Sequence, residues 1–304
     1  MPKKFIKFFP KKRVALGLAA LLALLLILGF SLNSGRERGN FLWLVESKSA
    51  KVYVLGSVHL AYPGLYPLSP AIREAFAESE ALVVEINTEE LPPEYMERFV
   101  LLYGLSDDPR PLIDRVSPET RSFLEASGLY DRRYDRLTPW LAALTIQLEV
   151  MRQNGFEPQY GLDRHFIKLA QERNMDILEL ENIDDQMSLM LDMNEEESDI
   201  FLRSAVEEME RLPALISGFL DSWRQGDSQG FARLFFEEYD KYPEMLPLLD
   251  KMIHQRNRRM AAEIDLLLER RDRVYFVVVG AGHLVGPESI LELLAREGYK
   301  VEQQ

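Results

Sequence analysis

The pattern of apolar and polar positions divides the chain into three zones. From Val14 to Leu32 nineteen residues run without a charge. At about 1.5 Å per residue, a helix of that length crosses the ~30 Å hydrocarbon core of a bilayer. The run ends in Gly29-Phe30-Ser31-Leu32-Asn33-Ser34, with no A-x-A cleavage pattern, so the expectation is an uncleaved anchor rather than a removed leader. No later run reaches that length, Leu212 to Leu220 being nine residues and containing a proline, so one span is expected.

The second zone is strand-like. Phe41 to Glu46 and Lys51 to Leu55, separated by Ser47-Lys48-Ser49-Ala50, predict a β-hairpin. A loop with Tyr62-Pro63-Gly64 and Tyr66-Pro67 follows, and then Ser69-Pro70 predicts a capped helix start. Ala81 to Ile86 reads as a buried strand containing Glu85. The same grammar returns at the other end of the chain, with strand Val274 to Val279, helix Pro287 to Arg296 and strand Tyr299 to Glu302.

Between these ends the pattern is helical. Ser117-Pro118-Glu119 and Thr138-Pro139 are further cap-then-proline openings, and Leu141, Leu144, Leu148 and Met151 recur at helical spacing. Leu162 to Arg173 predicts a helix leading into a strand at Asp176 to Leu180, while Glu195 to Arg224 and Met245 to Arg270 predict long amphipathic helices. The expected fold is α/β, with a mixed central sheet built from two strand-helix-strand repeats at the chain ends and a large helical insertion at about 92–270. The expected boundaries are a basic tip at 1–13, an anchor at 14–32, a linker at 33–40 and the α/β domain at 41–304.

Charge sharpens this division. The first thirteen residues carry six basic side chains and no acidic one, so the −13 of the whole chain is a remainder of −19 offset by the tip. Basic residues before a single span stay cytoplasmic, which places the acidic body outside the cytoplasmic membrane. Phosphate backbones repel a body of that sign, so nucleic acid is not an expected partner. The absence of cysteine excludes disulfides, Cys-ligated metals and a thiol nucleophile.

The candidate chemistry lies where the two ends match. Gly56-Ser57-Val58-His59 follows the first apolar strand, and Gly280-Ala281-Gly282-His283 follows the last. In open α/β sheets functional groups collect at the carboxyl ends of strands, and here a histidine falls there twice. Glu85 closes a third apolar strand, where a carboxylate needs a cation, a metal or hydrogen-bond donors. Two imidazoles and a carboxylate match a three-ligand metal site, and equally a metal-free general base with an orienting acid. The remaining two histidines, His165 and His254, sit on predicted helices and are expected to be structural or surface residues.

Taken in order, the two Gly-x-x-His motifs, Glu85, Gly161-Leu162-Asp163 with Phe166, Leu180-Glu181 with Gln186, and Arg256-Asn257 leading into Met260-Ala261 resemble the TraB/PrgY/GumN family, which includes the Tiki proteases. The match covers the chain from about Phe41 to its end. The resemblance implies a fold related to the erythromycin-esterase and ChaN-like proteins, with His59, Glu85 and His283 forming the active site and holding one divalent metal. For the Tiki branch it implies a peptidase using Mn²⁺ or Co²⁺, with Zn²⁺ also chemically suited; for PrgY it implies suppression of a peptide pheromone. GumN-type members bring no settled activity.

Carried onto this chain, Arg256 is the candidate for oxyanion stabilisation or for binding a substrate carboxylate. Asp163 or Glu181 is the candidate acceptor that fixes an imidazole, or the general base. A structural ion pair of Arg256 with Glu181 or Asp163 explains the same residues without catalysis. The leading expectation is a membrane-anchored, extracytoplasmic metallohydrolase acting on a peptide or small-molecule substrate. The competing ones are a protein that sequesters a peptide, haem or another metal-bearing ligand, and a metal-free esterase. The pattern leaves the oligomeric state open.

Overall fold

Leu42–Glu46 (β1) and Ala50–Ser57 (β2) form the predicted hairpin, with Trp43 opposite Val54 and Val45 opposite Val52. The Ser47 hydroxyl closes the turn by accepting the N–H groups of Ser49 and Ala50. The computed structural model in which this is seen describes residues 40–209, 211–240, 243–270 and 273–304. The basic tip, the expected anchor and the linker up to residue 39 lie outside the described residues. Among those described, no helix is long and apolar enough to cross a membrane.

Ser69 caps the helix Pro70–Glu78 (α1) as its sequence predicts, accepting the N–H of Ile72, and the chain then enters Ala81–Val84 (β3), every residue of which is buried. Next come Pro93–Phe99 (α2), Pro118–Ser127 (α3) and Pro139–Gln153 (α4). Ser117 caps α3 through the N–H of Thr120, but Thr138 makes no side-chain cap to α4 and instead donates to the carbonyl of Gly104. The helix expected from the spacing of Leu141, Leu144, Leu148 and Met151 is present, and of those four only Met151 is buried. Ala142, Ala143 and Ile146 are buried while Leu144 is exposed, because the small alanines let a neighbouring helix approach closely.

Leu162–Glu172 (α5) leads into Asp176–Glu179 (β4), so the helical insertion is divided by a strand of the central sheet. Ile183–Leu191 (α6) follows, and the long segment expected from Glu195 is two helices, Glu195–Glu207 (α7) and Leu212–Arg224 (α8), with Pro213 in the first turn of the second. α7 starts with a capping box between Asn194 and Glu197. Helices α3, α4 and α7 share a core of their own around Leu124, Ile146, Leu202 and Val206.

Ser228–Asp240 (α9) and Leu246–Leu249 (α10) precede a π-helical turn, Asp250–His254, which runs directly into Gln255–Glu269 (α11). The chain ends with Arg273–Gly280 (β5), Ile290–Arg296 (α12) and Lys300–Gln303 (β6). α12 starts later than Pro287, because Glu288 takes a φ of +54° and Ser289 provides the cap.

The sheet order is β4-β3-β5-β2-β1-β6. β4, β3, β5 and β2 are mutually parallel, and β1 is antiparallel to both its neighbours. The two repeats are therefore interleaved: β5 of the second lies between β2 and β3 of the first. Tyr275 to Val279 are fully buried, as expected of a central parallel strand covered by helices on both faces. Phe76 of α1, Phe166 of α5 and Phe276 of β5 form one aromatic cluster in this core.

Candidate functional site

Interleaving sets the two Gly-x-x-His motifs side by side. Ser57 lies opposite Gly280, and Gly56 lies opposite Val279, so both chains leave the sheet at the same level. On the other side of β5, Val84 pairs with Val278, which brings Glu85 to the end of that row, and Glu181 N–H bonds the carbonyl of Glu85 from the β4 side. Four adjacent parallel strands thus deliver Glu181, Glu85, His283 and His59 to one edge of the sheet. The residues predicted from sequence to form a site are brought together.

Glycine is required where these segments meet. A Cβ on Gly56 would lie 2.4 Å from the Phe41 ring, and one on Gly161 would lie 2.6 Å from the carbonyl oxygen of His59. Gly161 therefore lets the start of α5 press against the His59 loop, where Leu162 N–H also bonds the carbonyl of Val58. Asp163, in the first turn of α5, then accepts from His59 Nδ1 at 2.8 Å and from the Ser57 hydroxyl at 2.5 Å.

Gly280 marks the centre of the site. A Cβ there would meet Glu85 Oε1 at 3.3 Å, His283 Cδ2 at 3.4 Å and His59 Nε2 at 3.5 Å. The absent side chain leaves a space bounded by groups from three strands. Glu85 Oε1 accepts the Gly280 N–H at 2.6 Å, and Oε2 accepts from Arg256 Nη2 at 2.5 Å and from Gln186 Nε2 at 3.1 Å. His283 Nδ1 is 2.6 Å from Asn257 Oδ1.

Arg256 is an ion-pair residue of this site. Its Nε and Nη2 grip Glu181 at 2.6–3.1 Å, Nη2 also reaches Glu85, and Nη1 donates to the carbonyl of Met252. The expected pairing with Glu181 is thus present and extends to Glu85, while Asp163 pairs with His59 instead. With most of its donors turned to these partners, Arg256 orients two carboxylates.

The electrostatics differ between the two imidazoles. The Asp163 carboxylate beside His59 raises its pKa to about 9, and the side chain is 66% exposed at the mouth of the site. Burial pushes His283 down to about 4, helped by Arg256 and opposed by Glu85. Burial alone would raise Glu85, but the positive charge of His283 when protonated, of Arg256 and of His59, together with the Gly280 N–H, holds it down at about 2. At neutral pH His283 is uncharged, so Arg256 and His59 are the cations that keep Glu85 ionised. Glu181 and Glu85 hold Arg256 protonated against its burial.

Asn257 and Gln186 belong to the site although neither was singled out as a functional residue from sequence. Asn257 falls on the apolar stripe of α11, with Met260, Ala261 and Ile264 three, four and seven positions on, and a buried amide on such a stripe requires partners. The other histidines stay apart, as expected: His165 stacks against Tyr66 and Phe166, and His254 lies 3.6 Å from Asp250. The aromatic loop after His59 packs inward, with Tyr62 against Phe156 and Tyr66 bonded to the carbonyl of Tyr160.

A paired strand-end site of two imidazoles and a carboxylate, on an interleaved α/β sheet, defines the class. The chain belongs to the TraB/PrgY/gumN family, whose sequence model matches residues 41–303. It is similar to a metalloprotease TIKI homolog of Amphimedon queenslandica, with 24% identity across the whole chain and 69% of that protein. It is 22% identical to the uncharacterized protein YbaP of Escherichia coli, over 80% of the chain and 87% of that protein. A shorter match of 71 residues, 38% identical and covering 23% of the chain and 13% of the relative, links it to human metalloprotease TIKI1. No solved structure gives a significant match.

Proposed function

We propose that the chain is a divalent-metal-dependent hydrolase, acting on peptide bonds outside the cytoplasmic membrane and tethered by its N-terminal apolar segment. The observation that carries this reading is the convergence beside Gly280, where Glu85 Oε1, His59 Nε2 and the His283 ring all lie within 3.5 Å of the position a Cβ on that glycine would take. The donor set suits an ion: each imidazole has its Nδ1 turned to an oxygen of Asp163 or Asn257, which directs Nε2 away as the free nitrogen. His59, Glu85 and His283 are the residues that would hold the metal. Among the described residues, no three His, Asp or Glu side chains are close enough as they stand to hold an ion, so His59, Glu85 and His283 would have to draw together around it. Mn²⁺ or Co²⁺ is the proposed ion, and the metalloprotease names of the relatives support the class of reaction.

When bound, a divalent ion at such a site supplies an acidified water and polarises a scissile carbonyl. The chain's own residues do the rest. Glu85 brings the negative charge, and Arg256 and Gln186 fix its orientation through Oε2. Asp163 holds the His59 ring through Nδ1, so that Nε2 is the nitrogen turned to the site. Glu181 does not face the reacting atoms in this account; it anchors Arg256.

A second reading is favoured by one observation. Both oxygens of Glu85 already accept hydrogen bonds, as expected of a carboxylate that acts without an ion in a metal-free, esterase-like hydrolase. Peptide-library cleavage by the full-length protein, with Mn²⁺ or Co²⁺ and then with chelator, separates the two. Metal-dependent cleavage that is lost in His59→Ala and Glu85→Ala supports the proposal. Hydrolysis that persists in chelator supports the second reading, and ligand binding without turnover that survives both substitutions supports sequestration and overturns the hydrolase.

A further inference from the structure

We propose that Asn257 is a positioning residue that keeps the His283 proton on Nδ1 and its electron pair on Nε2. The side-chain nitrogen of Asn257 donates to the main-chain carbonyl of Glu288 at 2.8 Å. A carbonyl only accepts, so the amide has one admissible orientation, and the oxygen it turns to His283 Nδ1 at 2.6 Å also only accepts. Nδ1 must therefore carry a hydrogen, in whichever charge state the ring is found. Any proton the ring gains or loses moves at Nε2, the atom facing the site.

The Glu288 carbonyl is itself held firmly. Its residue has a φ of +54°, a region that non-glycine residues enter rarely, and it is pinned at both ends. Glu288 N–H donates to Glu292 at 2.7 Å, and the Glu288 carboxylate pairs with Arg258, the residue after Asn257. Consecutive residues of α11 thus grip one turn, Arg258 through the Glu288 carboxylate and Asn257 by donating its amide N–H to the Glu288 carbonyl. Asn257 is fully buried, so water does not compete for either end of its amide. His59 has a different backing: Asp163 is a carboxylate shared with Ser57 at an open mouth. The carboxamide gives His283 the same tautomer without adding a negative charge beside Glu85 and Glu181.

The test reads the tautomer directly, in full-length protein labelled with ¹⁵N-histidine and stripped of metal. The chain has four histidines, and His283→Gln identifies the relevant signals in long-range ¹H–¹⁵N spectra. The expected wild-type pattern is a protonated Nδ1 and an unprotonated Nε2. Asn257→Ala should release this preference, and Asn257→Asp should restore a protonated Nδ1. In the same variants Co²⁺ affinity, measured by chelator competition, should fall about 10–100-fold for Asn257→Ala and recover at least in part for Asn257→Asp. The Co²⁺ arm rests on the metal reading above; the tautomer arm does not. Wild-type protein showing the expected tautomer but no Co²⁺ binding would remove the metal reading and leave this one standing. A wild-type proton on Nε2 overturns it, as does an Asn257→Ala variant with tautomer and affinity both unchanged.

Discussion

Three glycines around the site should respond to the same substitution in three different ways. At Gly280 the backbone is at φ −51° and ψ 134°, a conformation alanine adopts without strain. The added methyl meets Glu85 Oε1, the His283 ring and His59 Nε2 at 3.3–3.5 Å, contacts that are close but relieved by shifts of a few tenths of an ångström. Gly280→Ala also restricts the unfolded chain, worth about 0.4–1 kcal/mol in favour of folding. For a domain of this size that is about 2–4 °C per kcal/mol in melting temperature, so its stability should stay within a few degrees of wild type. The methyl nevertheless occupies the position on which the three groups converge, so turnover should fall, with the about 10²-fold cost of a 1 Å misplacement as the upper bound. Gly56→Ala drives its methyl to 2.4 Å from the Phe41 ring, and overpacking of that kind costs about 1–3 kcal/mol. Gly161→Ala meets the backbone oxygen of His59 at 2.6 Å and should displace that loop, lowering both stability and activity. Differential scanning calorimetry, with hydrolysis measured on the same samples, provides the comparison. A Gly280→Ala protein with wild-type turnover and Co²⁺ affinity would refute the reasoning, as would one destabilised as much as Gly56→Ala.

Other perturbations probe the ion pairs and the helical insertion. Arg256→Leu leaves Glu85 and Glu181 buried without their guanidinium, and urea unfolding should show a loss of about 3–5 kcal/mol, partly relieved by adding Glu181→Gln. Glu85, held at about 2 when folded, contributes stability that is present above its ordinary value of 4.5 and lost as pH falls through about 2. Acid unfolding of metal-free protein should therefore be less steep in that window for Glu85→Gln. His59 behaves oppositely: its pairing with Asp163 stabilises below about 6.5 and is lost as pH rises through about 9, so NMR titration of the metal-free protein should show a high His59 pKa that falls in Asp163→Asn. Trp223 donates its indole N–H to the Gly56 carbonyl at 2.6 Å inside the core. Trp223→Phe should cost about 1–3 kcal/mol for the unpaired carbonyl, read by urea denaturation.

The sequence made the strand ends legible because buried parallel strands announce themselves as short apolar runs, and a glycine or histidine that interrupts such a run is conspicuous. His59, Glu85 and His283 were visible for that reason, as were the Ser-Pro caps of α1 and α3. Strand order was not legible. Interleaving β5 between β2 and β3 depends on contacts between segments about two hundred residues apart, which no local pattern encodes. The spacing of Leu141, Leu144, Leu148 and Met151 located α4 but not its contact face, because the helix packs through Ala142 and Ala143, where shape matters more than hydrophobicity. The division of labour among the polar residues was also hidden. Asp163, Glu181 and Arg256 were candidates for overlapping roles, and only their positions assign Asp163 to His59 and Glu181 to Arg256. Asn257 was masked by the apolar residues that share its helix face.

The proposed hydrolase depends on one divalent ion held jointly by His59, Glu85 and His283. Calorimetric titration of Co²⁺ into chelator-treated, full-length protein tests it most directly, with Glu85→Gln, His59→Ala and His283→Ala measured alongside. The wild type should bind one ion per chain, with an affinity that collapses in each of the three variants. Stoichiometric binding that is indifferent to all three substitutions, or no binding by the folded wild type, would contradict it.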